Sequence, residues 1–161
     1  MPCIHPESPH FLGYGAMGAV HAHLLRKEFP DLPIFYLLRS GRTPPTLSYA
    51  IHQRHGQLTR LNVINDSNGK QPIKLLIVAT KAHQAEAALI PYLDRLTSKT
   101  LLVFLQNGMG LVDSLKNILP SDRIALGTTT HAAYVSESNV VSWVHEGETQ
   151  WGAIPKCRGH R

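Results

Sequence analysis

A short apolar run that opens into a glycine-rich turn and then into a helical pattern constrains this chain more than any other stretch. It is FLGYGAMGAVHAHLLRKEF, residues 11–29. The turn has GxGxxG spacing at Gly13, Gly15 and Gly18. Each glycine meets a different demand of a dinucleotide site. Gly13 permits the tight turn out of a strand, Gly15 lets a pyrophosphate approach the backbone, and Gly18 allows the helix to pack closely on the sheet. The helix N-terminus then offers N–H groups to the phosphates. Met17, Val20, Leu24 and Leu25 are expected on one helical face. Standing alone, GxGxxG is a weak signal. Its place between an apolar run and an amphipathic helix strengthens it against the alternative, a glycine-rich turn that holds no ligand.

Downstream, apolar runs alternate with helical patterns. IFYLL (34–38) reads as a buried strand, and residues 40–50, with Gly41, Pro44 and Pro45, read as a loop. Residues 57–65 alternate in part and suggest a strand or hairpin, closed by a turn at DSNGK, 66–70. IKLLIVAT (73–80) is the clearest buried strand. It leads into a helix whose apolar face carries Ala85, Ala88, Leu89 and Tyr92, with a break expected at Pro91. TLLVFL (100–105) is a further strand, and GLVDSLKNILP (110–120) a helix ended by Pro120. RIALGTTTHAAYV (123–135) and NVVSWVHEGETQWGAI (139–154) read as strands with turns at Ser136–Ser138 and Glu146–Gly147. The pattern predicts an α/β fold: a Rossmann-type, doubly wound, mostly parallel sheet with an antiparallel C-terminal portion. Pro9 would delete a ladder bond inside a central strand, so the first strand is expected to be very short and to begin after it.

The 161 residues suffice for one domain with a core. The expected boundaries are an N-terminal extension at 1–8, the dinucleotide-binding domain at 9–154 and a short tail at 155–161. No apolar run has the length of a membrane span, and MPCIHPESPH does not read as a signal peptide. Cys3 and Cys157 lack metal-type spacing, and a reducing cytoplasmic setting is the expectation. The net charge of +5 comes from scattered basic residues without the interleaved aromatics of a single-strand binder, so nucleic acid is not the expected partner. His21 and His23 diverge on a helix, and His52 and His55 have no third ligand in sight, so no metal is expected. His131 reads as structural.

The second strand ends in LLRSGR. Arg39, Ser40 and Arg42 stand where an NAD site carries an acidic residue for the ribose hydroxyls. A guanidinium offers paired donors to a phosphate, which favours NADP(H); the alternative is a surface arginine. ATKAHQ (79–84), LQNGMG (105–110) and GTTTHAAY (127–134) each turn polar where a strand should end, which is where such sheets bind ligands. Lys81 reads as a cation reaching the crevice or as a surface lysine. Asn107 reads as a hydrogen-bonding site residue or as a turn former.

Together FLGYGAMG, LLRSGR, ATKAHQ, LQNGMG, GTTTHAAY and GETQWG resemble, in order and spacing, the N-terminal half of the ketopantoate reductase (2-dehydropantoate 2-reductase) family, over about residues 9–154. The resemblance implies that Gly13, Tyr14, Gly15, Ala16, Met17 and Gly18 hold the pyrophosphate of NADPH. It implies that Arg39 meets the adenosine 2′-phosphate and that Lys81 contacts the cofactor. It places Asn107 beside the nicotinamide ribose and the substrate, as both a cofactor-binding and a catalytic residue. The implied reaction is hydride transfer from NADPH to a small-molecule 2-oxo acid, 2-dehydropantoate, giving pantoate for pantothenate biosynthesis. Family members carry a second, helical domain that supplies a general-acid lysine and a substrate-binding acid. PKCRGHR (155–161) does not look like its beginning, and Lys156 matches no family motif. The chain by itself is therefore expected to be inactive or weak. Surface around Val141, Trp143 and Trp151 is expected to lie exposed and to favour self-association. Two alternatives stay open: a non-catalytic NADP(H)-binding fragment, and a family member acting on another 2-oxo acid.

Overall fold

The computed structural model describes residues 7–13, 15–38, 46–53, 58–107, 123–136 and 140–153, the segment 46–53 through its backbone. The predicted helix at 110–120 lies outside the described residues. Chain order is β1 (His10–Leu12), α1 (Ala16–Glu28), β2 (Phe35–Leu37), β3 (Thr46–Gln53), β4 (Leu58–Asn65), β5 (Leu75–Val78), α2 (Ala82–Leu89), a 3-10 turn (Ile90–Arg95), β6 (Leu101–Leu105), β7 (Ile124–Thr129), β8 (Ala132–Val135), β9 (Val140–His145) and β10 (Thr149–Ala153).

All these strands join one ten-stranded sheet in the order β10-β7-β6-β5-β1-β2-β4-β3-β9-β8. The run from β7 to β4 is parallel throughout. Antiparallel pairs are β10 with β7, β3 with β4, and β8 with β9. β1 is as short as Pro9 requires and lies between β2 and β5, with Phe11 opposite Tyr36 and Ile77. The two-residue side-chain period divides the core between the faces. Phe11, Tyr36, Ile77 and Val103 pack with α1, whereas Leu12, Leu37, Leu76, Val78 and Phe104 pack with Leu89 and Tyr92 on the opposite face. Helices on both faces make the sheet doubly wound.

α1 departs from a simple amphipathic helix. Gly18, Ala19, Val20, His21, Ala22 and His23 are buried in succession. Six residues sweep well over one turn, so the middle of α1 has no solvent face. The sheet topology supplies the enclosure. β7 and β8 lie near opposite ends of the sheet order, yet only Thr130 and His131 join them. The sheet therefore curls until its ends approach across α1, which touches β3, β4, β8 and β9. The β7–β10 pairing runs on into this crossing, where Thr130 N donates to Glu148 O at 2.9 Å.

This curl accounts for the differences from expectation. Residues 123–135 form two strands, broken where the chain crosses α1; there the His131 N–H donates to Thr129 Oγ1 at 3.2 Å. Val141 and Trp143 are buried against α1, correcting the expected exposure, while Trp151 is half exposed. Strand structure starts at Thr46 within the stretch read as a loop. It pairs with all of β4 but Asn65, a partnership that local composition does not display. The break at Pro91 occurs as expected: α2 ends at Leu89 and Pro91 opens the tighter 3-10 turn. No helix of the described residues is long and apolar enough to cross a membrane.

Candidate functional site

The parallel strands β2, β1, β5, β6 and β7 end along one edge, and the glycine turn sits at its centre. Gly13 has φ +114°, and a Cβ there would stand 2.9 Å from Thr80 N and 3.0 Å from Ala79 C. A side chain is thus excluded both by conformation and by the β5–α2 turn. Gly18 is equally close-packed, since its Cβ would lie 2.7 Å from Gly13 O. At Gly15 the opposite holds: a Cβ would meet nothing within 4 Å. Only the middle glycine opens a space beside the backbone. Gly15 caps α1 without a side-chain hydrogen bond, and the first turn of α1 carries no acidic residue, so its positive dipole end is not neutralised locally.

Beside this turn lies a cleft of about 290 Å³ lined by Met17, Thr80, Lys81, Leu105, Gln106 and Asn107 among others. Lys81 is exposed at the N-cap of α2. Ala16 starts α1 and packs toward the core. The structure brings Gly13, Gly15, Ala16, Met17, Gly18, Lys81 and Asn107 to one sheet edge. Tyr14 and Arg39 lie outside the described residues. The residue that precedes Arg39 is firmly held: Leu38 N donates to Ser67 Oγ at 2.6 Å and Tyr92 Oη donates to Leu38 O at 2.7 Å.

Asn107 does more than form a turn. Its Oδ1 accepts from Thr129 N and from Thr128 Oγ1, each at 3.1 Å, and its Nδ2 donates to Thr129 O at 3.1 Å. The carboxamide thus imitates a peptide group and adds a rung between the ends of β6 and β7. Both oxygen lone pairs are occupied and one of the two N–H groups is used. Among the described residues, Asn107 thus keeps one N–H donor and no acceptor for a ligand.

Behind the edge, α1 is fastened to the curled strands by histidines that sequence reasoning left as structural or unassigned. His21 Nδ1 donates to Met17 O at 2.9 Å, and its Nε2 shares a 2.9 Å hydrogen bond with Thr149 Oγ1. The Thr149 and Thr129 hydroxyls lie 3.2 Å apart. His131 Nδ1 accepts from Gly147 N at 2.8 Å, and its ring meets Trp143 edge-on. Burial holds His21 below the ordinary histidine pKa, outweighing the Met17 carbonyl. Burial also lowers His131 against the pull of Glu146. The His131 pattern requires a neutral imidazole, because Nδ1 accepts from a backbone N–H. Among the described residues no group of three His, Cys, Asp or Glu side chains could hold a metal.

A model of the family described as ketopantoate reductase PanE/ApbA matches residues 10–156. A 2-dehydropantoate 2-reductase of Saccharomyces cerevisiae is 30% identical over 87% of this chain and 41% of its own length. One from Vibrio cholerae is 42% identical over 48% of this chain and 26% of its own. The crystal structure of 2-dehydropantoate 2-reductase from Geobacter metallireducens superposes with TM-score 0.72 at 21% identity, covering 94% of this chain and 51% of that one. The chain spans less than half the length of these curated relatives.

Proposed function

This chain belongs to the ketopantoate reductase family, and we propose on that footing that it is the NADPH-binding half of a 2-oxo-acid reductase whose substrate is 2-dehydropantoate. The observation that carries the reading is the contrast among the three glycines: Gly13 and Gly18 are filled by neighbouring backbone, while Gly15 faces open space. A turn made of glycine only for packing has no need of the middle one. The space, with the uncompensated N-terminus of α1 beside it, fits a pyrophosphate.

When bound, NADPH supplies a hydride to the ketone carbon. The residues of this chain bind and orient. Gly13, Tyr14, Gly15, Ala16, Met17 and Gly18 would carry the pyrophosphate, and Arg39 the 2′-phosphate. Lys81 would place a cation at the cleft, next to phosphate or to the substrate carboxylate. Asn107 would direct the N–H that bonds no described residue at the nicotinamide ribose or the substrate carbonyl. The alkoxide left by hydride addition needs a proton, and the resemblance assigns the acid to the second half of the family's chain. Reduction is therefore shared between two halves, and this one alone is not expected to turn over. NADPH oxidation followed at 340 nm with 2-dehydropantoate tests this division. A rate of about 1 s⁻¹ or more, ordinary for an enzyme, would place an acid within residues 1–161 and overturn it.

A further inference from the structure

Gln106 lines the cleft that Lys81 and Asn107 also line, and the proposed function gives it no task. Its backbone N–H donates to Gly127 O at 3.2 Å, tying it to β7. Its side chain reaches the other way: Nε2 donates to Thr80 O at 2.8 Å and lies 3.4 Å from Thr80 Oγ1. A carbonyl only accepts, so the carboxamide orientation is fixed, and its Oε1 is left buried without a partner. Buried orphan acceptors are uncommon and call for a reason.

The reason lies in Thr80. The paired register of β5 with β6 ends at Val78 and Phe104. Beyond that pair, the chain from Ala79 to Lys81 must be held by other means. From one side Gly13 abuts it, with an added Cβ falling 2.9 Å from Thr80 N. From the other side Gln106 grips its carbonyl. The next residue is Lys81, whose extended backbone (φ −64°, ψ 145°) starts α2. We propose that Gln106 is a positioning residue of the cofactor site: its carboxamide holds the Thr80–Lys81 turn at a fixed separation from Asn107, so that Lys81 and Asn107 flank one bound dinucleotide. This rests on the cofactor-binding function proposed above.

Two variants of the full chain test it. Gln106→Met keeps the length and removes the donor. Gln106→Glu has no donor when ionised and regains one toward Thr80 O when protonated. In the ligand-free chain, amide hydrogen exchange over residues 79–84 should rise about five-fold in Gln106→Met, the worth of one hydrogen bond, with residues 10–12 unchanged. NADP⁺ titrated calorimetrically should bind about five- to ten-fold more weakly to both variants at pH 8. At pH 5.5 the deficit relative to the unaltered chain should shrink for Gln106→Glu and persist for Gln106→Met. A role in filling space would show no such recovery. Should Gln106→Met fail to fold, the recovery of Gln106→Glu decides. If the unaltered chain binds NADP⁺ and both variants bind it equally at both pH values, the positioning role is wrong and the function stands. If the unaltered chain binds none, both fall.

Discussion

Alanine at Gly15 separates a ligand-binding glycine from a merely structural one. Gly15 has φ −121° and ψ 177°, extended backbone open to any residue, and its added Cβ meets nothing within 4 Å. Stability should hardly change. Alanine restricts the unfolded chain, a gain of about 0.4–1 kcal/mol, and is a poorer helix cap than glycine by a similar amount. Gly13→Ala is the contrasting control: φ +114° costs about 1–3 kcal/mol and the methyl meets Thr80 N at 2.9 Å. At about 2–4 °C per kcal/mol, Gly13→Ala should lower Tm by several degrees while Gly15→Ala leaves it in place. In binding, the Gly15 methyl occupies the space assigned to the pyrophosphate. NADPH affinity, read by nicotinamide fluorescence, should fall at least ten-fold, or about 1.4 kcal/mol. A Gly15→Ala chain with unchanged Tm and unchanged NADPH affinity would refute the argument that this space receives the phosphates.

Asn107→Ala deletes three hydrogen bonds between β6 and β7 and should cost about 1–3 kcal/mol of stability in thermal or urea unfolding; a stability equal to that of the unaltered chain would show that the added rung contributes nothing. A pH effect follows from His21. Its pKa in the fold is lowered, so on acidification the unfolded chain takes up its proton first, near pH 6.5. The unfolded state then holds more protons, and stability falls as pH drops through about 6.5, by up to about 1.4 kcal/mol per pH unit from this group. Urea melts at pH 5.5 and 7.5 should show this fall, and His21→Gln should reduce it; an equally steep fall in the variant would remove His21 as the cause.

The parts of the fold legible in the sequence were local ones. Gly13, Gly15 and Gly18 announce the strand–turn–helix by spacing alone, and Pro9 and Pro91 mark a strand start and a helix break because proline acts on its own backbone. The enclosure of α1 was not legible. His21 and His23 diverge on the helix, yet both are buried once the sheet curls, and the His21–Thr149 bond spans 128 positions. Asn107 shows the same limit. Its spacing places it at the end of β6, but its saturated oxygen depends on where β7 finishes. The side-chain bonds of Gln106, Ser67 and Tyr92 were not legible because each reaches a carbonyl or amide far away in sequence. A polar residue directly after the apolar run LLVFL was the one signal that could have drawn attention to Gln106.

The central claim, that this chain binds NADPH through the glycine turn and Arg39, is tested most directly by calorimetric titration of the chain with NADPH and with NADH, repeated for Arg39→Ala. The account predicts saturable binding of one NADPH and weaker binding of NADH. Arg39→Ala should lose a charge-assisted phosphate contact of about 1.5–3 kcal/mol, a factor of roughly 10–150, for NADPH alone. Equal affinity for the two nucleotides, or no binding of either, would contradict it.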